Sequence, residues 1–157
     1  MIATTRTGVR VAVDVGTARV GVAATDPDGV LAFPVTVLTR DRRGTRDVDE
    51  LIAVVSEREA VEVLVGLPQT LRGRDSSSTL DARAYAETLA ARLAPVPVRL
   101  VDERLSTVSA QRRLHEAGSD TRKSRVVIDA AAAVVLLEAA LDRERHTGAP
   151  AGEQVLP

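Results

Sequence analysis

Residues 9 to 26 read VRVAVDVGTARVGVAATD, two runs of small β-branched and aliphatic residues separated by Gly-Thr-Ala-Arg. Two such runs joined by a short Gly-containing connection predict a β-hairpin, with strands at Val9 to Val15 and Val20 to Thr25. The first run is almost continuously apolar, so its strand is expected to be covered on both faces, which needs helices on each side of the sheet. One ionisable group, Asp14, stands inside that run. A buried carboxylate costs several kcal/mol unless it is paired, so Asp14 calls for a metal ion, an arginine or backbone N–H groups as partner. Arg19, across the hairpin connection, is one candidate, and the plainer reading makes Asp14 a turn-capping or salt-bridged residue.

The turn DPDG at 26 to 29 leads into a third short strand around Val30 to Leu38, whose Pro34 places it at a sheet edge or breaks it. RDRRGTR at 40 to 46 is a charged loop before a helix expected over Asp47 to Arg58. A fourth strand, Val61 to Leu67, runs into the polar loop PQTLRGRDSSS, and Thr79 to Leu93 reads as an amphipathic helix capped by the residues before it. Pro95 and Pro97 flank the entry to a fifth strand, Val98 to Val101, which continues into DERLST. Ser106 to Ala117 reads as a helix ending at Gly118, and Ser124 to Arg143 as a long Ala/Val/Leu helix. The order predicts an α/β fold with a mixed five-stranded sheet: a three-strand antiparallel meander extended by two parallel strands, with helices on its faces. This arrangement resembles the ribonuclease H-like fold. Residues 1 to 143 are expected to form one domain, and 144 to 157, ending HTGAPAGEQVLP, a disordered tail.

Composition narrows the function classes. Aromatic residues make up 1% of the 157, Phe33 and Tyr85 alone, so the core is built from Val, Leu, Ile and Ala and binding by stacked bases is disfavoured. The net charge of −1 leaves any nucleic-acid contact to local patches of a basic set that is all arginine except Lys123. The absence of cysteine excludes thiolate metal sites and Cys nucleophiles. No stretch reaches signal-peptide character at the N-terminus or the ~18 apolar residues of a membrane span, so the expectation is a cytoplasmic protein with no membrane partner.

Two further carboxylates stand where apolar segments meet polar ones. Glu103 follows the fifth strand in LVDERLST, a position equally suited to a solvated turn. Asp129 interrupts the apolar run VVIDAAAAVVLLEAAL, although Asp is a poor helix-interior residue, and a salt bridge to Arg125 is the alternative. If Asp14, Glu103 and Asp129 converge, their hard oxygen donors favour Mg²⁺ or Mn²⁺, and two such ions can activate a water and stabilise the leaving oxygen in phosphodiester hydrolysis.

The chain resembles the YqgF/RuvX family of Holliday junction resolvases and nucleases that process the 5′ end of the small-subunit ribosomal RNA precursor. The resemblance runs from about Val9 to Leu141 and rests on DVGTARVGVA at 14 to 23, VGLP at 65 to 68 with Gly73 following, DERLST at 102 to 107, and the region of Lys123 and Asp129-Ala-Ala. Each motif alone is weak, and four in this order are specific. The resemblance implies that Asp14, Glu103 and Asp129 are the catalytic, metal-binding acids. It further implies phosphate contacts for Arg19 and Arg104, each of which could instead neutralise a neighbouring carboxylate, and Arg122, Lys123 and Arg125 form a basic cluster suited to a nucleic-acid backbone or to a solvated helix start. By the same resemblance Gly66, Leu67 and Pro68 are expected to shape the loop beside the site rather than perform chemistry. The chain departs from the family pattern after VGLP, where Gln-Thr-Leu-Arg replaces an asparagine-containing stretch.

The expected function is therefore a metal-dependent endonuclease acting on an rRNA precursor or a four-way DNA junction, with a homodimer needed for symmetric junction cleavage. Two other classes remain open: a single-lobe actin-like ATP-binding domain, because Asp-x-Gly-Thr before a hairpin also forms phosphate loops, and a non-catalytic RNA-binding module.

Overall fold

A computed structural model describes residues 6–69, 72–105 and 122–157, with the side chains of 105 and 122–129 outside the described set. The chain forms β1 (Arg10–Val15), β2 (Arg19–Thr25), β3 (Ala32–Thr39), α1 (Arg46–Glu57), β4 (Glu62–Leu67), α2 (Ser77–Leu93), β5 (Val98–Asp102), a 3-10 turn (Glu103–Leu105), α3 (Arg122–Thr147) and β6 (Glu153–Val155). The sheet order is β3-β2-β1-β4-β5-β6. β1, β2 and β3 are an antiparallel meander, β4 and β5 join parallel to β1, and β6 closes the far edge antiparallel to β5. The helix expected over Ser106 to Ala117 lies outside the described residues.

Pro34 does occupy the edge strand: Ala23 pairs with Pro34 while Val22 pairs with Thr36, leaving Val35 as a bulge where the missing N–H breaks the ladder. α2 begins at a capping box, with Ser76 and Thr79 each bonding the other's backbone N–H.

The near-continuous apolar strands are sandwiched as their composition requires. Val11, Val13 and Val63 face Leu51 and Val55 of α1 and Ala86 and Leu89 of α2. On the opposite face Ala12, Ala23, Leu64 and Val101 meet Ala132, Ala133, Leu136 and Leu137 of α3. Small side chains on both partners let α3 lie close to the strands. Because alternate residues of a strand share a face, Asp14 and Gly66, each two positions beyond a residue of this second layer, belong to the α3 side.

The C-terminal reading needs two corrections. The sheet has six strands rather than five, and residues 144 to 157 are ordered: α3 continues to Thr147 and β6 pairs Glu153, Gln154 and Val155 with Leu100, Arg99 and Val98. Arg99 donates to the Ala151 and Gly152 carbonyls, both at 2.8 Å. Gly152, at φ +78°, takes a turn in which a Cβ would strike the Leu100 carbonyl. Pairing at a sheet edge runs through the backbone, so a three-residue strand with little apolar character leaves no pattern to read. Glu144, in the last part of α3, is buried and bonds Arg6 Nε at 2.6 Å and Arg10 Nη2 at 3.4 Å. This ion cluster, which includes Glu62 and the exposed Arg6, fastens the end of α3 to the start of β1. No described helix is long and apolar enough to cross a membrane.

Candidate active site at the sheet edge

β1, β4 and β5 run parallel, so their C-terminal ends open onto one edge of the sheet, the edge at which open α/β sheets bind ligands. Asp14 is the penultimate residue of β1 and Glu103 the first residue beyond β5, and both are only 2% exposed. Between them β4 carries Gly66, paired with Val101 of β5. A Cβ on Gly66 would lie 2.7 Å from Glu103 Oε1 and 3.1 Å from Leu136 Cδ2. Glu103 therefore reaches back over β4 toward the strand of Asp14, and only a residue without a side chain at 66 leaves it room. Gly66 serves the site through space, not through an unusual backbone angle.

The turn after Asp14 is held from outside. Gly16 N–H donates to the Arg19 carbonyl at 2.8 Å, closing the hairpin connection. Arg40 Nη1 donates to the Gly16 carbonyl at 2.8 Å, Arg40 N–H donates to the Ala18 carbonyl at 2.9 Å, and Arg42 Nη2 donates to the Thr17 carbonyl at 2.7 Å. Every residue between the two strands is thus gripped by the segment after β3. The Arg40 side chain, 8% exposed, makes a bidentate pair with Asp81 of α2, at 2.8 and 3.1 Å. Its guanidinium holds the Asp81 carboxyl below the usual range. Arg40 also lies 3.6 Å from Asp47 and 5.1 Å from the Tyr85 ring, whose hydroxyl donates to Asp47. Burial, reinforced by Asp47, pushes the Tyr85 hydroxyl up, so it stays protonated as a donor. By composition RDRRGTR is only a charged loop, and nothing in it announces these supports. The signal was the run of arginines directly after an edge strand, but nothing in it distinguishes a buried arginine from an exposed one.

The other expected site residues are distributed as follows. Arg104 turns back on Asp102, with Nη2 to Oδ2 at 2.6 Å and Nε to Oδ1 at 3.0 Å, and holds that carboxyl below its ordinary range. Arg19 opens β2, half-buried, opposite Thr39. Arg122, Lys123, Arg125 and Asp129 fall in the first part of α3, with Asp129 four residues before the fully buried Ala133; their side chains lie outside the described residues.

Asp14 and Glu103 offer hard oxygen donors with no described His or Cys beside them, a donor set that fits Mg²⁺ or Mn²⁺ and not zinc. Among the described residues no three His, Cys, Asp or Glu side chains gather into a metal-binding group.

Sheet order, the helix on one face and a pair of buried acids at the ends of parallel strands define a ribonuclease H-like α/β domain. The chain belongs to the RuvX family, whose model, described as a Holliday junction resolvase, matches residues 8–143. It is 56% identical over 142 residues to a protein of Frankia casuarinae named "Putative pre-16S rRNA nuclease", covering 90% of this chain and 70% of that one. A protein of Thermobifida fusca with the same name is 54% identical over 157 residues, covering 96% and 97%. Among solved structures, Thermus thermophilus RuvC in complex with a Holliday junction substrate superposes with a TM-score of 0.58 at 16% identity, covering 94% of this chain and 99% of RuvC. That likeness establishes the shared fold.

Proposed function

We propose that the protein is a divalent-metal-dependent endonuclease that processes the 5′ end of the small-subunit rRNA precursor in the cytoplasm, with Asp14, Glu103 and Asp129 as the acids that hold the metal. The observation that carries this reading is the buried Glu103 carboxylate lying over Gly66, between its own strand and that of Asp14. The names of the relatives from Frankia casuarinae and Thermobifida fusca favour the rRNA precursor as substrate.

Asp14, Glu103 and Asp129 would hold Mg²⁺ or Mn²⁺, which when bound would supply activation of a water and charge stabilisation at the leaving oxygen. The chain's own contribution is placement. Arg40 and Arg42 fix the turn beyond Asp14, Gly66 keeps the space that Glu103 occupies, and Leu136 closes the floor between β4 and α3. Asp129 belongs to the helix that covers this face, which makes it the natural third donor. Arg19, Arg122, Lys123 and Arg125 are assigned to the substrate backbone, Arg104 to orienting the strand end through Asp102.

The description of the matched family favours a second substrate, the four-way DNA junction, for which a homodimer would bring two sites to opposed strands. Cleavage of an end-labelled rRNA precursor fragment beside a four-way junction and matched duplexes, with Mg²⁺, with Mn²⁺ and with chelator, tests both. Metal-dependent cutting of the precursor, abolished in Asp14→Asn, is the expected result. Cutting of the junction alone transfers the assignment to resolution, and no cutting of any substrate by folded protein overturns the nuclease reading.

A further inference from the structure

Exposed charge at the active edge is unevenly matched. Most acids of the surrounding loops already have partners: Asp81 holds Arg40 and Arg42, Asp102 holds Arg104, and Asp49 holds Arg92. Asp41 accepts backbone N–H bonds from Arg46, Arg43 and Gly44, which hold its carboxyl below the ordinary range and fold the loop on itself. Among the arginines of these loops, Arg46 pairs with Glu50, but Arg43 and Arg72 are exposed and pair with no described carboxylate.

Each of these two arginines rides on a loop that contacts the chain beside one of the two buried acids. The loop of Arg43 is bolted through Arg40 and Arg42 to the turn directly after Asp14. The loop of Arg72 turns at Gly73, φ +75°, where a Cβ would stand 3.1 Å from Arg104 Nη1, so it packs on the residue next to Glu103. Arg43 follows β3 and Arg72 follows β4, so the strand of Asp14 lies between them in the sheet order, across about 14 Å of three strand spacings. An exposed guanidinium without a carboxylate partner is a ready phosphate ligand.

We propose that Arg43 and Arg72 grip the phosphate backbone of nucleic acid on either side of Asp14, laying the strand to be cut across the sheet edge. The proposal rests on the nuclease reading of that edge. Each grip releases counterions, and its signature is a change in how affinity depends on salt.

The test is fluorescence anisotropy of two labelled probes, a single-stranded rRNA precursor fragment and a four-way DNA junction, titrated with full-length protein in chelator over a range of KCl. Arg43→Gln and Arg72→Gln are each expected to lower the slope of log affinity against log salt by about 0.7 for the single strand or about 0.9 for the duplex arms. Arg43→Lys should keep most of the slope, and Arg143→Gln, an exposed change near the opposite edge on α3, should leave it unaltered. Unchanged slopes in both glutamine variants, a change in only one, or no binding of either probe overturns the proposal. Failure of the nuclease reading shows separately, as wild-type protein that binds with the expected slopes yet cuts neither probe when Mg²⁺ or Mn²⁺ is restored.

Discussion

Glu103 Oε1 occupies the space in which a side chain at Gly66 would begin, 2.7 Å from where its Cβ would stand. Gly66→Ala must therefore move the Glu103 carboxylate, since Leu136 blocks the other side at 3.1 Å. Crowding of this kind costs about 1 to 3 kcal/mol of stability. A displacement near 1 Å costs about 100-fold in rate. Cleavage rates and thermal denaturation of the variant are expected to show both, with the loss of rate persisting at temperatures where the variant is fully folded.

This contact also marks where the sequence stops being informative. Asp14 is legible because a charged residue interrupts an apolar strand, and Glu103 because it ends one. Both come from strand ends that the order of elements already places on one edge. Gly66 reads only as part of a loop-shaping VGLP, because its function is to be empty, and emptiness is defined by a neighbour 37 positions away in the chain. The meander and the parallel extension were readable from β-rich runs and helix spacing. The sixth strand was not, because its pairing with β5 uses main-chain groups that every residue carries.

Arg40 is the support of the Asp14 turn, and Arg40→Gln breaks its pair with Asp81 and leaves the buried Asp47 beside a neutral side chain. Loss of one partner from a buried ion cluster costs about 3 kcal/mol or more. Denaturant unfolding at pH 7 is expected to report that loss, with a rate defect larger than that of any surface Arg→Gln change.

The same pair predicts the acid limb of the stability curve. Asp81 is held below its unfolded value of about 3.9, so its contribution is fully present above that pH and is lost as pH falls through the lowered folded-state value. Wild-type protein should therefore lose stability steeply below about pH 4. Arg40→Gln should be less stable at neutral pH and show a shallower decline in that window, measured by unfolding at fixed temperature.

At the opposite edge, Glu144→Leu strands the buried Arg10 guanidinium, which burial already disfavours. The expected loss is about 3 to 5 kcal/mol. Cleavage per folded molecule should be unaffected, because this cluster lies at the other end of β1 from Asp14.

Removing residues 148 to 157 uncovers Val98 and Leu100, which are 1% and 5% exposed, and frees the β5 edge. A drop in melting temperature, with aggregation through the open edge, is expected of the truncated chain. An unchanged melting temperature would mean that β6 adds nothing to the sheet.

The most direct measurement is Mn²⁺ binding by calorimetry to wild-type protein, Asp14→Asn and Glu103→Gln, with the fold of each checked by circular dichroism. Binding to the wild type that weakens at least about tenfold in each folded variant is the predicted result. Equal Mn²⁺ affinity in all three, or none in the wild type, would contradict a metal centre built on Asp14 and Glu103.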